Sequence, residues 1–262
     1  MVGPLSKFSF SLAGATALGL LALAEWHAEP RTQLPAIAPA ALVSPSLTAA
    51  VPPPASTLPQ PAPVALTQAS AEDSYYAQLR AKVKMVQTPL GHGWGMAPDT
   101  DSRLLLAKSA ARMAGLSAVG LGFKDVYGLI NAETSWVPRT GSSKDGTPNL
   151  GVAQFEPATA RALGLRDPND LVESVHAAAR HMKDAAIWSG DRIGRLHLGQ
   201  MQYAERLREG VSIYYNLSSR GRNLWNGRNT SSLPTQTRQH IQNTQIGALQ
   251  AAALDAQVRA AS

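Results

Sequence analysis

The feature that most constrains this chain is an apolar helical stripe that ends on an acid. Val126, Leu129 and Ile130 stand at i, i+3 and i+4, the spacing of one buried face of an α-helix. The next position on that face, i+7, is Glu133. A carboxylate on a core-facing stripe is costly unless it is paired, neutralised or put to use. Pro138 and Gly141 follow closely, so the helix is expected to stop just past Glu133, leaving the acid at a helix exit beside a loop. An apolar setting disfavours the charged form of a carboxyl and keeps it protonated, which general acid catalysis requires. On helix position alone, a satisfied core carboxylate or a helix-end residue near solvent is the plainer reading.

The rest of the chain divides by composition. Lys7 precedes an uncharged apolar run from Phe8 to Ala24 that ends Ala22-Leu23-Ala24. This is the pattern of a signal peptide, and its length lies at the lower edge for a membrane span. Residues 1–24 are expected to be cleaved on export; a retained anchor, with N-terminal membrane association, is the alternative. Residues 25–71 follow as a Pro/Ala-rich stretch. Between Pro30 and Ala71 there are ten prolines and no charge after Arg31. Such composition builds neither a ladder of hydrogen bonds nor a core, so a disordered linker is expected.

The folded domain is then expected over 72–250, mainly α-helical, with 251–262 as a frayed Ala-rich helix or tail. Its expected elements begin with a helix from Glu72 to Gln87 carrying Tyr76, Leu79 and Val83 on one face. A loop from Pro89 to Pro98 follows, with Trp94 lining a groove or, as the favoured reading, capping the core. Asp99 to Ser102 offer N-caps for a helix through Ala114. The Glu133 helix starts near Phe123. Ser142 to Asn149 is polar, with Gly146 and Pro148, and reads as a turn or small hairpin. Pro157 opens a short helix to about Leu163. Asp170 caps a long helix to Trp188, whose stripe is Leu171, Val175, Ala178, Met182 and Ala185. Another helix runs from Leu198 to Tyr215, then a basic loop from Arg220 to Arg228 containing Trp225, then a helix from Thr235. His176 and His181 lie five apart, about 140° around a helix, which is no metal-ligand spacing, and read as surface or boundary residues.

The formal charge of +6 lies wholly after residue 71, because Lys7, Arg31, Glu25 and Glu29 cancel. A basic domain suits an acidic polymer: nucleic acid, anionic lipid or a cell wall bearing peptide carboxylates. No arginine-rich run or zinc finger is present, which disfavours nucleic acid. The absence of cysteine excludes thiol catalysis, disulfides and cysteine-ligated metals.

Four blocks carry a family resemblance. Glu133-Thr134-x-Trp136-x-Pro138 is similar to the opening motif of SLT-type lytic transglycosylases, members of the lysozyme superfamily. Gly151-Val152-Ala153-Gln154-x-x-Pro157-x-Thr159-Ala160 resembles their Gly-Leu-Met-Gln segment, Tyr215-Asn216 their Tyr-Asn pair, and Leu233-Pro234-x-x-Thr237-Arg238 the segment that follows. The blocks stand in the family's order between about Ser109 and Gly247. Thr134 replaces the usual Ser, and Val152-Ala153 replaces Leu-Met.

The resemblance implies a lysozyme-like helical domain with a hairpin or loop lip. It implies cleavage of the β-1,4 bond between N-acetylmuramic acid and N-acetylglucosamine in peptidoglycan glycan strands, leaving a 1,6-anhydro end. Glu133 and Tyr215 would be catalytic. Thr134, Gln154, Phe155 and Asn216 would bind substrate, although a local bond from Gln154 to backbone is as plain a role. No cofactor and no metal are implied. The location would be the periplasm or cell envelope, with a secretion or assembly complex as a further partner. Two alternatives stay open. One is a hydrolytic lysozyme with Asp145 as second carboxylate, although Asp-Gly is also turn chemistry. The other is a non-catalytic glycan-binding or secretion-assembly protein on the same fold.

Overall fold

The computed structural model describes residues 63–91, 93–143 and 145–261. The expected signal segment and the linker up to residue 62 lie outside them. The described chain is mainly α-helical with two small two-stranded sheets. Helix α1 spans Pro63–Lys82, β1 Met85–Leu90 and β2 Gly93–Pro98; α2 spans Thr100–Ala114 and α3 Phe123–Thr134. Strands β3 (Gly141–Ser142) and β4 (Pro148–Asn149) form the small hairpin expected after α3. Helices α4 (Pro157–Ala162), α5 (Leu171–Ile193), α6 (Gln200–Asn216), α7 (Ser219–Asn223) and α8 (Thr235–Ala261) complete the chain. No helix among the described residues is long and apolar enough to cross a membrane.

Helix boundaries follow their caps. The Asp99 side chain accepts from the Ser102 amide at 2.9 Å and starts α2, which ends on Gly115 at φ 64°. Asp170 does the same for α5 through the Glu173 amide at 2.8 Å. At α3, Asp125 accepts from the Gly122 amide at 2.8 Å, and its other oxygen takes the Arg208 guanidinium of α6 at 2.7 Å. The stripe Val126, Leu129 and Ile130 is buried as expected. Helix α3 packs on α2 and most extensively on α8, while α5 packs on α2 and α6.

The crossing of α3 and α8 is set by two glycines. A Cβ on Gly128 would stand 2.3 Å from the Thr244 carbonyl oxygen, and one on Gly247 would stand 2.8 Å from the Gly128 Cα. Backbone meets backbone there, which only a residue without a side chain allows.

Several expected features differ. Helix α1 begins at Pro63, inside the expected linker, with proline in the first turn where it costs no hydrogen bond. It ends at Lys82, not Gln87. The next segment instead pairs with Gly93–Pro98, a hairpin where a loop was expected, turning at Gly91 with φ 59°. Trp94 lies on the hairpin's outer face and is 71% exposed rather than capping the core. His176 is a core residue, its Nε2 bonded to Ser109 at 2.9 Å and its Nδ1 to the Val172 carbonyl. Trp225 is buried and stacks on Trp188. Past residue 250, where a frayed helix or tail was expected, α8 continues to Ala261, with Ala251 buried and Asp255 paired with Lys108 of α2 and with Arg259.

Gly128→Ala is expected to lower unfolding stability by about 1–3 kcal/mol, because the new methyl must push the Thr244 backbone away. Denaturant titration measures it; an unchanged midpoint would show that the helices do not touch at this position.

Candidate active site

The helix that carries Glu133 is stopped by backbone that only buried neighbours hold in place. Ser135 and Trp136 follow Thr134 with φ 54° and 67°, a left-handed pair that L residues rarely adopt. The Trp136 side chain is fully buried, 5.2 Å from the Tyr127 ring, and anchors the turn. Arg139 reaches back to donate to the Glu133 carbonyl at 2.7 Å, a cation satisfying the free C-terminal end of α3.

The four sequence blocks meet here. The Thr134 hydroxyl donates to the Val152 carbonyl at 2.8 Å, joining α3 to the 150–155 loop. The Tyr215 hydroxyl, at the end of α6, donates to the Ala153 carbonyl at 3.3 Å, and its ring lies 5.8 Å from Phe155. Thr237 of α8 donates to the Asn216 side-chain oxygen at 2.9 Å. Glu133 itself bonds α8, with its Oε1 2.8 Å from His240 Nε2. Burial, aided by the nearby negative charge of Glu133, pushes the Tyr215 phenol well above its ordinary range, so it stays a hydroxyl donor.

Glu133 is mostly buried, with 16% of its side chain exposed. His240 and Ser212 behind it are buried, and the Ser212 hydroxyl lies 2.6 Å from His240 Nδ1. His240 was not singled out from the sequence. The available signal was its place on one face with Thr237, Ile241, Thr244 and Gly247, since a lone polar ring on a packed face needs a partner.

Four residues expected to bind substrate have other work. Thr134 and Phe155 are each only 2% exposed, so neither presents a surface to a ligand. The Gln154 amide donates to the carbonyls of Arg139 and Gly151, both at 2.8 Å, clasping the two loops together. Asn216 is exposed, but its oxygen is held by Thr237. Asp145 accepts from the Thr147 amide at 3.0 Å in an exposed turn, the local role its Asp-Gly context suggests. Cavities of about 510 and 430 Å³ open beside Leu163 and Arg180, and neither is lined by Glu133 or Tyr215. Among the described residues no three His, Asp or Glu side chains gather as a metal-holding group.

His181 packs against the site from α5, 5.2 Å from the Tyr215 ring and 6.0 Å from Phe155. Burial holds its pKa down from 6.5 to about 4.

Compared with protein-family models, curated proteins and solved structures, the chain matches none.

The His181 shift predicts a stability slope. The folded state keeps the ring neutral, so the unfolded chain binds the proton first as pH falls. Stability is full above pH 6.5 and declines towards pH 4, by about 3 kcal/mol at about 1.4 kcal/mol per unit. His176, also held low by burial, acts in the same direction. His181→Phe is expected to flatten the slope of unfolding free energy between pH 6.5 and 4.5; an unaltered slope would contradict the burial of a neutral ring.

Proposed function

We propose that this domain is a peptidoglycan lytic transglycosylase with a lysozyme-like fold, and that Glu133 is its acid and then its base. The observation that carries the reading is the meeting of four separated sequence blocks around one carboxyl. The acid at the exit of α3 is flanked by the 151–155 loop, by Tyr215 and by the start of α8. The basic charge of the chain suits a wall polymer bearing carboxylates.

In the proposed reaction, protonated Glu133 gives its proton to the glycosidic oxygen as the bond to muramic acid C1 breaks. The acetamido oxygen of the same sugar closes on C1 and carries the positive charge of an oxocarbenium-like transition state. Glu133, now a carboxylate, takes the proton of the 6-hydroxyl. That oxygen bonds C1, the acetamido oxygen leaves, and the 1,6-anhydro ring closes without water. Glu133 ends protonated, ready for another turn, so one acid serves both steps. His240 engages Oε1 and leaves Oε2 for the substrate. Tyr215, which would orient Glu133 or the substrate acetamido group, also holds the 151–155 loop beside the acid through Ala153.

A hydrolytic mechanism would call on Asp145 as its second carboxylate, and Asp145 accepts from the Thr147 amide of its own turn. With the enzyme on the wall, its location would be the periplasm or cell envelope.

Digestion of purified sacculi, with mass spectrometry of the fragments, is the test. The wild-type chain is expected to release 1,6-anhydro-muropeptides, and Glu133→Gln to lower the rate at least about a thousandfold while leaving wall binding intact. Products with a reducing end would replace this reading with a hydrolase, and no products with intact binding would replace it with a binding protein.

A further inference from the structure

Behind Glu133 runs a line of hydrogen bonds that the acid–base steps do not by themselves require. Glu133 Oε1 lies 2.8 Å from His240 Nε2, and His240 Nδ1 lies 2.6 Å from Ser212 Oγ. Ser212 Oγ in turn lies 3.4 Å from Thr244 Oγ1, whose own hydrogen goes to the His240 carbonyl at 2.9 Å. The line ties α3, α6 and α8 together, and His240 is only 8% exposed.

With the Ser212 hydroxyl donating to Nδ1, the imidazole carries its hydrogen on Nε2 and donates to Glu133 Oε1. That donation serves the carboxylate and equally the neutral carboxyl whose proton sits on Oε2, so the proton is given and regained there with no change at the ring. A glutamate side chain also carries rotamer freedom that must be lost before it can attack from one direction, and a bond to a buried ring removes that freedom in advance.

We propose that His240, held by Ser212, is a positioning residue for Glu133: by donating to Oε1 in both protonation states it aims Oε2, the oxygen that carries the proton, at the substrate. The inference rests on reading Glu133 as the acid–base group. It assigns His240 no contact with substrate. The steps it supports are the two already described, with Glu133 giving and then regaining one proton.

Steady-state kinetics of anhydro-muropeptide release from solubilised glycan strands test it, using the whole chain and its variants. His240→Asn keeps an amide within reach of Ser212 but is too short for Glu133. It is expected to lower kcat about tenfold to a hundredfold with KM within about twofold, the cost of a misplaced reacting group. His240→Gln places an amide near the Nε2 position, able to donate or accept, and is expected to restore kcat to within about fivefold of wild type. A kcat for His240→Asn equal to wild type, or equal losses in the Asn and Gln variants, would overturn the proposal. Should His240→Asn not fold, Ser212→Ala decides: a several-fold drop in kcat at unchanged KM supports the line of bonds, and an unchanged kcat overturns it. Glu133→Gln, run beside these, separates the two levels. If Glu133→Gln is inactive while the His240 variants match wild type, only the positioning role fails. If Glu133→Gln stays active, or wild type releases nothing, the reading of the site fails and takes this role with it.

Discussion

The site depends on two backbones touching. Gly128 and Gly247 let α3 and α8 approach until a methyl group on either would collide with the other chain. From that contact, Glu133 lies five residues along α3 and His240 seven residues back along α8. At 1.5 Å per residue these are about 7.5 and 10.5 Å along the two helices, a separation that the Glu133 and His240 side chains close with their 2.8 Å bond. A larger residue at the crossing would separate the helices and lengthen the Glu133–His240 bond, whose strength falls off steeply beyond about 3.2 Å. The fold thus sets the Glu133–His240 geometry through a helix contact elsewhere on α3 and α8.

Strain gathers around the same point. Among the described residues four that are not glycine have positive φ, and three of them, Ser135, Trp136 and Gln154, flank Glu133. Each costs on the order of 1–3 kcal/mol unless its surroundings enforce it. Here they do. Trp136 is sealed in the core, and Gln154 clasps two loop carbonyls. Thr134 ties α3 to Val152 from the buried side. Residues expected to face a ligand therefore build the rigid frame that faces Glu133 instead.

What could be read from the residues follows from how strongly each element declares itself. Helices α2, α3 and α5 open on caps or breakers and carry large apolar residues at helical spacing, so their positions were legible. Helix α8 packs with Thr237, His240, Ile241, Gly247, Ala251 and Asp255, of which Ile241 alone is a large apolar residue and lies near its start, so its far end read as a tail. The Gly-rich segment around Trp94 hid a hairpin because its pairing depends on a partner strand rather than on its own alternation. At the site, Glu133 and Tyr215 were legible as an inward acid and a phenol in familiar blocks. The framing roles of Thr134, Gln154, Phe155 and Asn216 were not, because the same side chains serve a ligand or a backbone carbonyl equally well. His240 was hidden for a third reason: its partner lies 107 positions away in the chain.

The most direct measurement is a crystal structure of the Glu133→Gln protein with an uncleaved glycan tetrasaccharide of alternating N-acetylglucosamine and N-acetylmuramic acid. The account predicts the bridging oxygen between muramic acid and glucosamine within about 3.2 Å of the residue 133 side chain, which His240 still holds from behind. A sugar chain bound elsewhere, with residue 133 more than one bridging water from any glycosidic oxygen, would contradict it.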